Sequence, residues 1–236
     1  PEATLIEVDG KQQIALWEGV PLEESHRHHS HLAGICPFAT LRPDDPKWKD
    51  VLDQSALHWI RMGMGRWAGW SMPWAAMLHN RLGNAQMAEV VIEIWHRCFV
   101  NPGGGTLHNP QFGGFCSLFG SNEIMQMDAG LGIVAAIQDL FVYALDNELY
   151  LMSGCMAEPR REIAVNNLYC PGGFVAELHR SPEDGTEIRL RATRANRLAA
   201  HLPVLPHGWT VDGVPFDGNF LSREMKAGEV LVLKSR

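Results

Sequence analysis

The spacing of apolar residues changes once along this 236-residue chain, and that change limits the folds open to it. After an extended entry punctuated by Pro and Gly over residues 1–45, the apolar positions recur every three or four residues in the segments up to about 146, whereas beyond about 150 they alternate. A period of 3.6 marks one face of a helix, and a period of two marks a strand with one buried face. Helices followed by strands, with no return to helix, build segregated layers and exclude a wound βαβ sheet. The expected fold class is therefore α+β.

In "DDPKWKDVLDQSALHWIRMG", Trp48, Val51, Leu52, Ala56, Trp59, Ile60 and Met62 share one face behind an Asp cap and an early Pro, which predicts a helix over about 46–62. Ser71 is placed to cap a second helix, with Pro73 in its first turn and Trp74, Met77, Leu78 and Leu82 as its stripe. Asn84 starts a third, on which Met87, Val90, Val91, Ile94, Trp95 and Cys98 lie together. Links this short force antiparallel neighbours. The segment "AGLGIVAAIQDLFVYALD" is apolar almost all round and predicts a fourth, central helix over about 129–146. Between the third and fourth, residues 101–123 are too rich in glycine for a regular element and read as a functional or mobile loop. Past 150, "GGFVAELHR", "GTEIRLRATR" and "GEVLVLKSR" alternate between turn signals such as "PEDG" and "FDGN". Two domains follow, 1–148 helical and 149–236 a sandwich-like β domain.

A net charge of -7 without a run of Lys or Arg argues against nucleic acid and against an anionic membrane surface as partners. No apolar run approaches the ~20 residues of a membrane span. Cys36, Cys98, Cys116, Cys155 and Cys170 are scattered, with no CxxC pair, and read as free thiols. Eight Trp against three Tyr leave room for indoles that stack on sugar rings, although core packing explains most of them equally well.

Three stretches carry possible chemistry. "HRHHSHL" holds His26, His28, His29 and His31 in a loop ahead of the first helix. Without the i, i+4 offset that aims two imidazoles at one ion, a metal site is disfavoured against hydrogen bonding to a polar ligand or to the loop's own backbone. "RWAGWSMPW" surrounds a helix start with three Trp, a sugar-binding wall or simply core. "EIMQMDAGLG" puts Asp128 and Gln126 at a helix start, where the Asp either caps the helix or activates a water.

Taken in order, "HRHHSHLAGICP", "GWSMPWAAMLHNRLGNAQMA" and "MQMDAGLGIVAAIQDL" resemble the catalytic domain of the α-L-fucosidases of glycoside hydrolase family 95, whose pattern runs HRHxSHLxxLxP, GWSxAWxxxLxARLxDxxxA, FQIDGNFGxxAGIxEML. "LIEVDGKQQIALWEG", "LYLMSG" and "PGGFVAEL" extend the resemblance over nearly the whole chain. It implies helical hairpins of an α/α toroid, here only part of the ring, and an inverting glycosidase that removes a terminal α-L-fucose from a glycan. Such chemistry needs an acid and a base about 6.5–9.5 Å apart with a water between them. Asp128 matches the aspartate of FQID on the water-activating side, and His28, His31, Trp70 and Gln126 fall where the resemblance implies sugar contacts. It implies neither a cofactor nor a metal. The general-acid glutamate lies upstream of the histidine motif in the family, so the resemblance makes the chain one part of the enzyme, a fragment or one of two chains paired through apolar helix faces that must be covered. By analogy such an enzyme works outside the cell or in the periplasm.

Three departures bear on the sugar: "AGLG" replaces GNFG, "LYLMSG" lacks the prolines of LLPALP, and the glycine-rich stretch precedes Asp128. They leave room for a related sugar such as α-L-galactose. Two other readings stay open, a noncatalytic carbohydrate-binding or assembly module, and a metal-dependent hydrolase using the histidines.

Overall fold

A computed structural model describes residues 3–111, 124–157 and 161–235, without the side chains of Met156 and Ala157. The chain divides into two compact units, residues 1–137 and 138–236. Among the described residues it holds four α-helices and twelve strands, a mixed α+β architecture.

The first unit opens with a hairpin of β1 (Leu5–Val8) and β2 (Lys11–Ile14). Its turn is Asp9-Gly10 with φ of 51° and 74°, the left-handed pair that a two-residue hairpin requires. The histidine stretch follows as a loop with one 3-10 turn, Ser30–Leu32. Helix α1 (Pro46–Met62) begins at Asp45, whose carboxylate accepts from the Lys47 N–H (2.9 Å), and stops at Gly63. It buries Trp48, Leu52, Ser55 and Trp59, and the Ser55 hydroxyl accepts the Ile14 N–H (2.8 Å), tying α1 to β2. Helices α2 (Ser71–Arg81) and α3 (Ala85–Cys98) pack as a pair across the short link at Leu82 to Asn84, and Asn84 caps α3 by accepting from the Met87 N–H (3.1 Å).

Helix α4 (Met127–Phe141) departs from expectation in two ways. It ends at Phe141 and not near 146, because Val142–Leu145 is strand β3, paired with β4 (Glu148–Leu151). The hairpin is set by Asp146 and Asn147, with φ of 48° and 67°, residue types that tolerate the left-handed region. Nor is α4 central: Ala129, Ile133, Ala136 and Leu140 are buried, while Met127, Leu131 and Val134 are exposed. Periodicity cannot tell two apolar faces apart.

In the second unit, β5 (Ile163–Cys170), β6 (Phe174–Ser181), β7 (Gly185–Ala192), β9 (Trp209–Val211), β10 (Val214–Phe216) and β12 (Val230–Ser235) form one sheet, ordered β10-β9-β12-β7-β6-β5. A second sheet runs β11-β8-β4-β3, with β8 at Asn196–His201 and β11 at Phe220–Met225. All pairings are antiparallel except β4 with β8. Alternate residues are buried along the strands, Ile188 and Leu190 on β7, Leu231 and Leu233 on β12, Leu149 and Leu151 on β4, as the period of two requires.

Among the described residues Cys36, Cys98, Cys155 and Cys170 form no disulfide, and no helix is long and apolar enough to cross a membrane. Cys116 and most of the glycine-rich loop lie outside the described residues. The described part of that loop bridges Val100 to Thr106 and Leu107 to Met125.

Candidate active site

The four histidines separate into different roles. His29 is fully buried, with rings of Trp67 and Trp59 edge-on at 4.7 and 5.0 Å. The Trp59 indole N–H donates to His29 Nδ1 (3.1 Å), so Nδ1 is bare and the proton sits on Nε2, which donates to the Ser71 carbonyl (3.1 Å). Burial pushes the pKa of His29 down to about 3, against the Ser71 bond, which raises it; His31, His79 and His26 lower it further. This imidazole is therefore neutral, with both nitrogens spoken for. Ser71 does not cap from outside the helix; it is the first residue of α2, its hydroxyl accepting the Ala68 N–H (2.9 Å) and donating to the Arg27 carbonyl (2.7 Å). Together these bonds pin the histidine loop to the start of α2.

On the other side of the same loop His28 is only partly buried and meets the Trp70 indole edge-on at 4.8 Å. His26 Nδ1 accepts the His28 backbone N–H (3.1 Å), and the two rings lie tilted to each other at 5.0 Å, which orients His28 from behind. The pKa of His28 is lowered, by burial first and then by Arg27 and His26. A neutral imidazole there offers one donor and one acceptor to a ligand hydroxyl.

Trp70 leads to the start of α4. Its backbone N–H donates to Gln126 Oε1 (2.9 Å), and Gln126 is itself held by Thr106, whose carbonyl takes the Gln126 N–H and whose hydroxyl donates to the Gln126 carbonyl, each at 2.7 Å. Gly69 is indispensable to this clamp, since a Cβ there would lie 1.9 Å from the Leu107 carbonyl oxygen and 3.1 Å from Gln126 Oε1. Gly132 likewise lets α4 approach α2, its absent Cβ falling 3.1 Å from the Pro73 ring.

Asp128 is in the first turn of α4 and exposed. It is not the cap: the helix starts one residue earlier, and the Gly130 N–H bonds the Gln126 carbonyl. Among the described residues its carboxylate has no hydrogen bond or ion pair, so it is free to meet a solvent molecule or ligand. His28, Trp70 and Gln126 are thus brought together, with Asp128 two residues beyond Gln126. His31 goes elsewhere. It is 9% exposed and lines a separate cleft with Trp17 and Phe38, neither of which stood out in the sequence. A signal was present for Trp17, which precedes the turn-forming "EGV". Among the described residues no three His, Cys, Asp or Glu side chains converge as metal ligands.

The model of the glycosyl hydrolase family 95 catalytic domain matches residues 7–141, from β1 to the end of α4. The chain belongs to glycoside hydrolase family 95. Its family segment contains every candidate residue named above. Within the family, the chain is similar to alpha-L-fucosidase 2 of Arabidopsis thaliana, 28% identical over 158 residues, which is 66% of this chain and 18% of that protein. The chain therefore spans less than a fifth of that relative's length. Among solved structures it is similar to a GH127 beta-L-arabinofuranosidase from Geobacillus stearothermophilus T6, 12% identical over 70% of this chain and 30% of that one, with a TM-score of 0.33, too slight a likeness to support an argument.

Proposed function

We propose that this chain carries the water-activating side of an inverting α-L-fucosidase-like glycosidase, its helices forming an arc of an α/α toroid and its strands from β3 onward an accessory β domain. The observation that carries the reading is the clamp between the starts of α2 and α4, which joins Trp70 to Gln126 and presents Asp128, unpaired among the described residues, just beyond. In this reading the apolar face of a terminal fucose packs on Trp70, and a sugar hydroxyl bonds the neutral His28. Asp128 draws a proton from the water that attacks the anomeric carbon from the face opposite the leaving oxygen. The proton for the leaving oxygen comes from the glutamate that the resemblance puts upstream of the histidine motif. The glycan is the substrate, and no cofactor takes part.

Assay of an aryl α-L-fucoside by this chain alone, and by the chain joined to the upstream part of its catalytic domain, tests the reading. Turnover is expected in the joined form, and Asp128→Asn should lower it by about 10²–10⁴-fold, the usual worth of a positioned general base. Near-normal turnover of the Asn variant removes Asp128 from the mechanism; no turnover in either form favours a noncatalytic sugar-binding module.

A further inference from the structure

The cleft beside His31 has no part in the proposed reaction. About 540 Å³ in volume, it is lined from one side by Thr4 and Ile14 to Trp17 and from the other by the segment between Ser30 and Leu41. Its lining combines buried apolar residues, Ile14, Ala15 and Leu41, with the hydroxyl-bearing Thr4, Ser30 and Thr40, and includes no charged side chain.

Two aromatic residues of this lining are exposed, Trp17 at 59% and Phe38 at 70%. Both project from fixed backbone. The Leu16 N–H bonds the Val20 carbonyl (2.8 Å) and the Val20 N–H bonds the Trp17 carbonyl (2.9 Å) around Gly19, while the Phe38 N–H bonds the Ala33 carbonyl (3.0 Å). A backbone held in place loses little freedom when a ligand packs on the rings it carries.

His31 supplies the polar element. Among the described residues its Nδ1 is buried with no hydrogen-bond partner, so contact with a molecule in the cleft falls to the other ring nitrogen, Nε2. Burial, then His58 and His26, push its pKa down to about 4, so the ring is neutral and keeps both donor and acceptor capacity. An ion finds no counter-charge in this lining, and an alkyl chain leaves the imidazole unused. A neutral ring with an apolar face and hydroxyls at its edge uses both parts.

We infer that the cleft is a second sugar subsite, holding a neutral pyranose against Trp17 and Phe38 with hydroxyls toward His31 and the Thr4, Ser30 and Thr40 side chains. The ligand class rests on the glycosidase reading; the position of the cleft does not. In the complete enzyme such a subsite grips a sugar of the glycan other than the one cleaved.

The test is titration of the ¹⁵N-labelled protein with methyl α-L-fucopyranoside and with methyl β-D-galactopyranoside, following the indole N–H signals of Trp17 and Trp70. At least one sugar should shift the Trp17 signal to saturation, and Trp17→Ala and Phe38→Ala should each raise that Kd about tenfold while preserving the fold, since both side chains are largely exposed. No saturable shift at Trp17, or unchanged affinity in both variants, overturns the subsite. Saturation at Trp70 alone does the same and leaves the proposed function standing. Saturation at Trp17 with no fucoside turnover by the joined enzyme keeps the subsite and overturns the proposed function instead.

Discussion

His29, in the loop bonded to the start of α2, and Asp128, in the first turn of α4, stand in the same helical unit and are held in opposite ways. The imidazole has no exposed surface, two hydrogen bonds and three tryptophan rings within 5.4 Å. The carboxylate is exposed and unpaired among the described residues. In both places the backbone is firmly placed, by Ser71 in one and by Gln126 and Gly69 in the other. What differs is whether the side chain spends its polar atoms on the protein. A group that has spent them serves stability, and a group that has not can serve a ligand.

The contrast gives paired predictions. Asp128→Asn removes a charge from the surface, so its large loss of turnover in the joined enzyme should come with a change in unfolding free energy within about 0.5 kcal/mol. His29→Leu fills a similar volume but leaves the Trp59 N–H buried without a partner, at about 1–3 kcal/mol, while the Ser71 carbonyl keeps its bond within α2. Urea titration of that variant should therefore show a loss of about 1–3 kcal/mol. An equal loss in both variants, or none in the His29 variant, dissolves the distinction.

Acid sharpens it further. His29, at about 3, and His31 and His79, each at about 4, have folded pKa values well below the ordinary 6.5, chiefly through burial. Between those values and 6.5 the unfolded chain binds protons that the folded chain refuses, so stability rises with pH across the window. The contribution is complete above 6.5 and is lost as pH falls toward 3–4, by up to about 1.4 kcal/mol per pH unit for each group. Subtracting the His29→Leu profile from that of the parent protein isolates one such proton. A difference flat between pH 4 and 6.5 means that His29 is not buried as a neutral ring.

How far the sequence shows this arrangement depends on local regularity. Asp45 and Asn84 are legible because helix caps act within four residues, and the alternating strands past 150 are legible for the same reason. The order of the three motifs points to the family. The roles of the four histidines are not legible, because an irregular loop has no period by which to read which ring turns inward: His29 and His31, two residues apart, enter different surroundings. The end of α4 is hidden too, since "LFVYALD" offers no polar break before Asp146 and suits a helix as well as a strand. Gly69 reads as a loop residue, and only the Leu107 carbonyl beside it shows why a side chain is excluded.

The smallest predicted effect concerns the face of α4 that the sequence read as buried. Val134 is 56% exposed and Ala136, two residues on, is 1% exposed, although both are apolar residues of one helix. Gln is a helix former whose side chain solvent accepts, so Val134→Gln should move stability by no more than about 0.5 kcal/mol and lessen self-association. Ala136→Gln forces a bulky amide into a filled interior, where overpacking alone costs about 1–3 kcal/mol. Thermal unfolding with light scattering on the two variants decides which face of α4 is packed within the chain. A Val134 variant as damaged as the Ala136 variant means that the outer face is already covered in the folded protein, and the first turn that carries Asp128 then belongs to an interface and not to an open site.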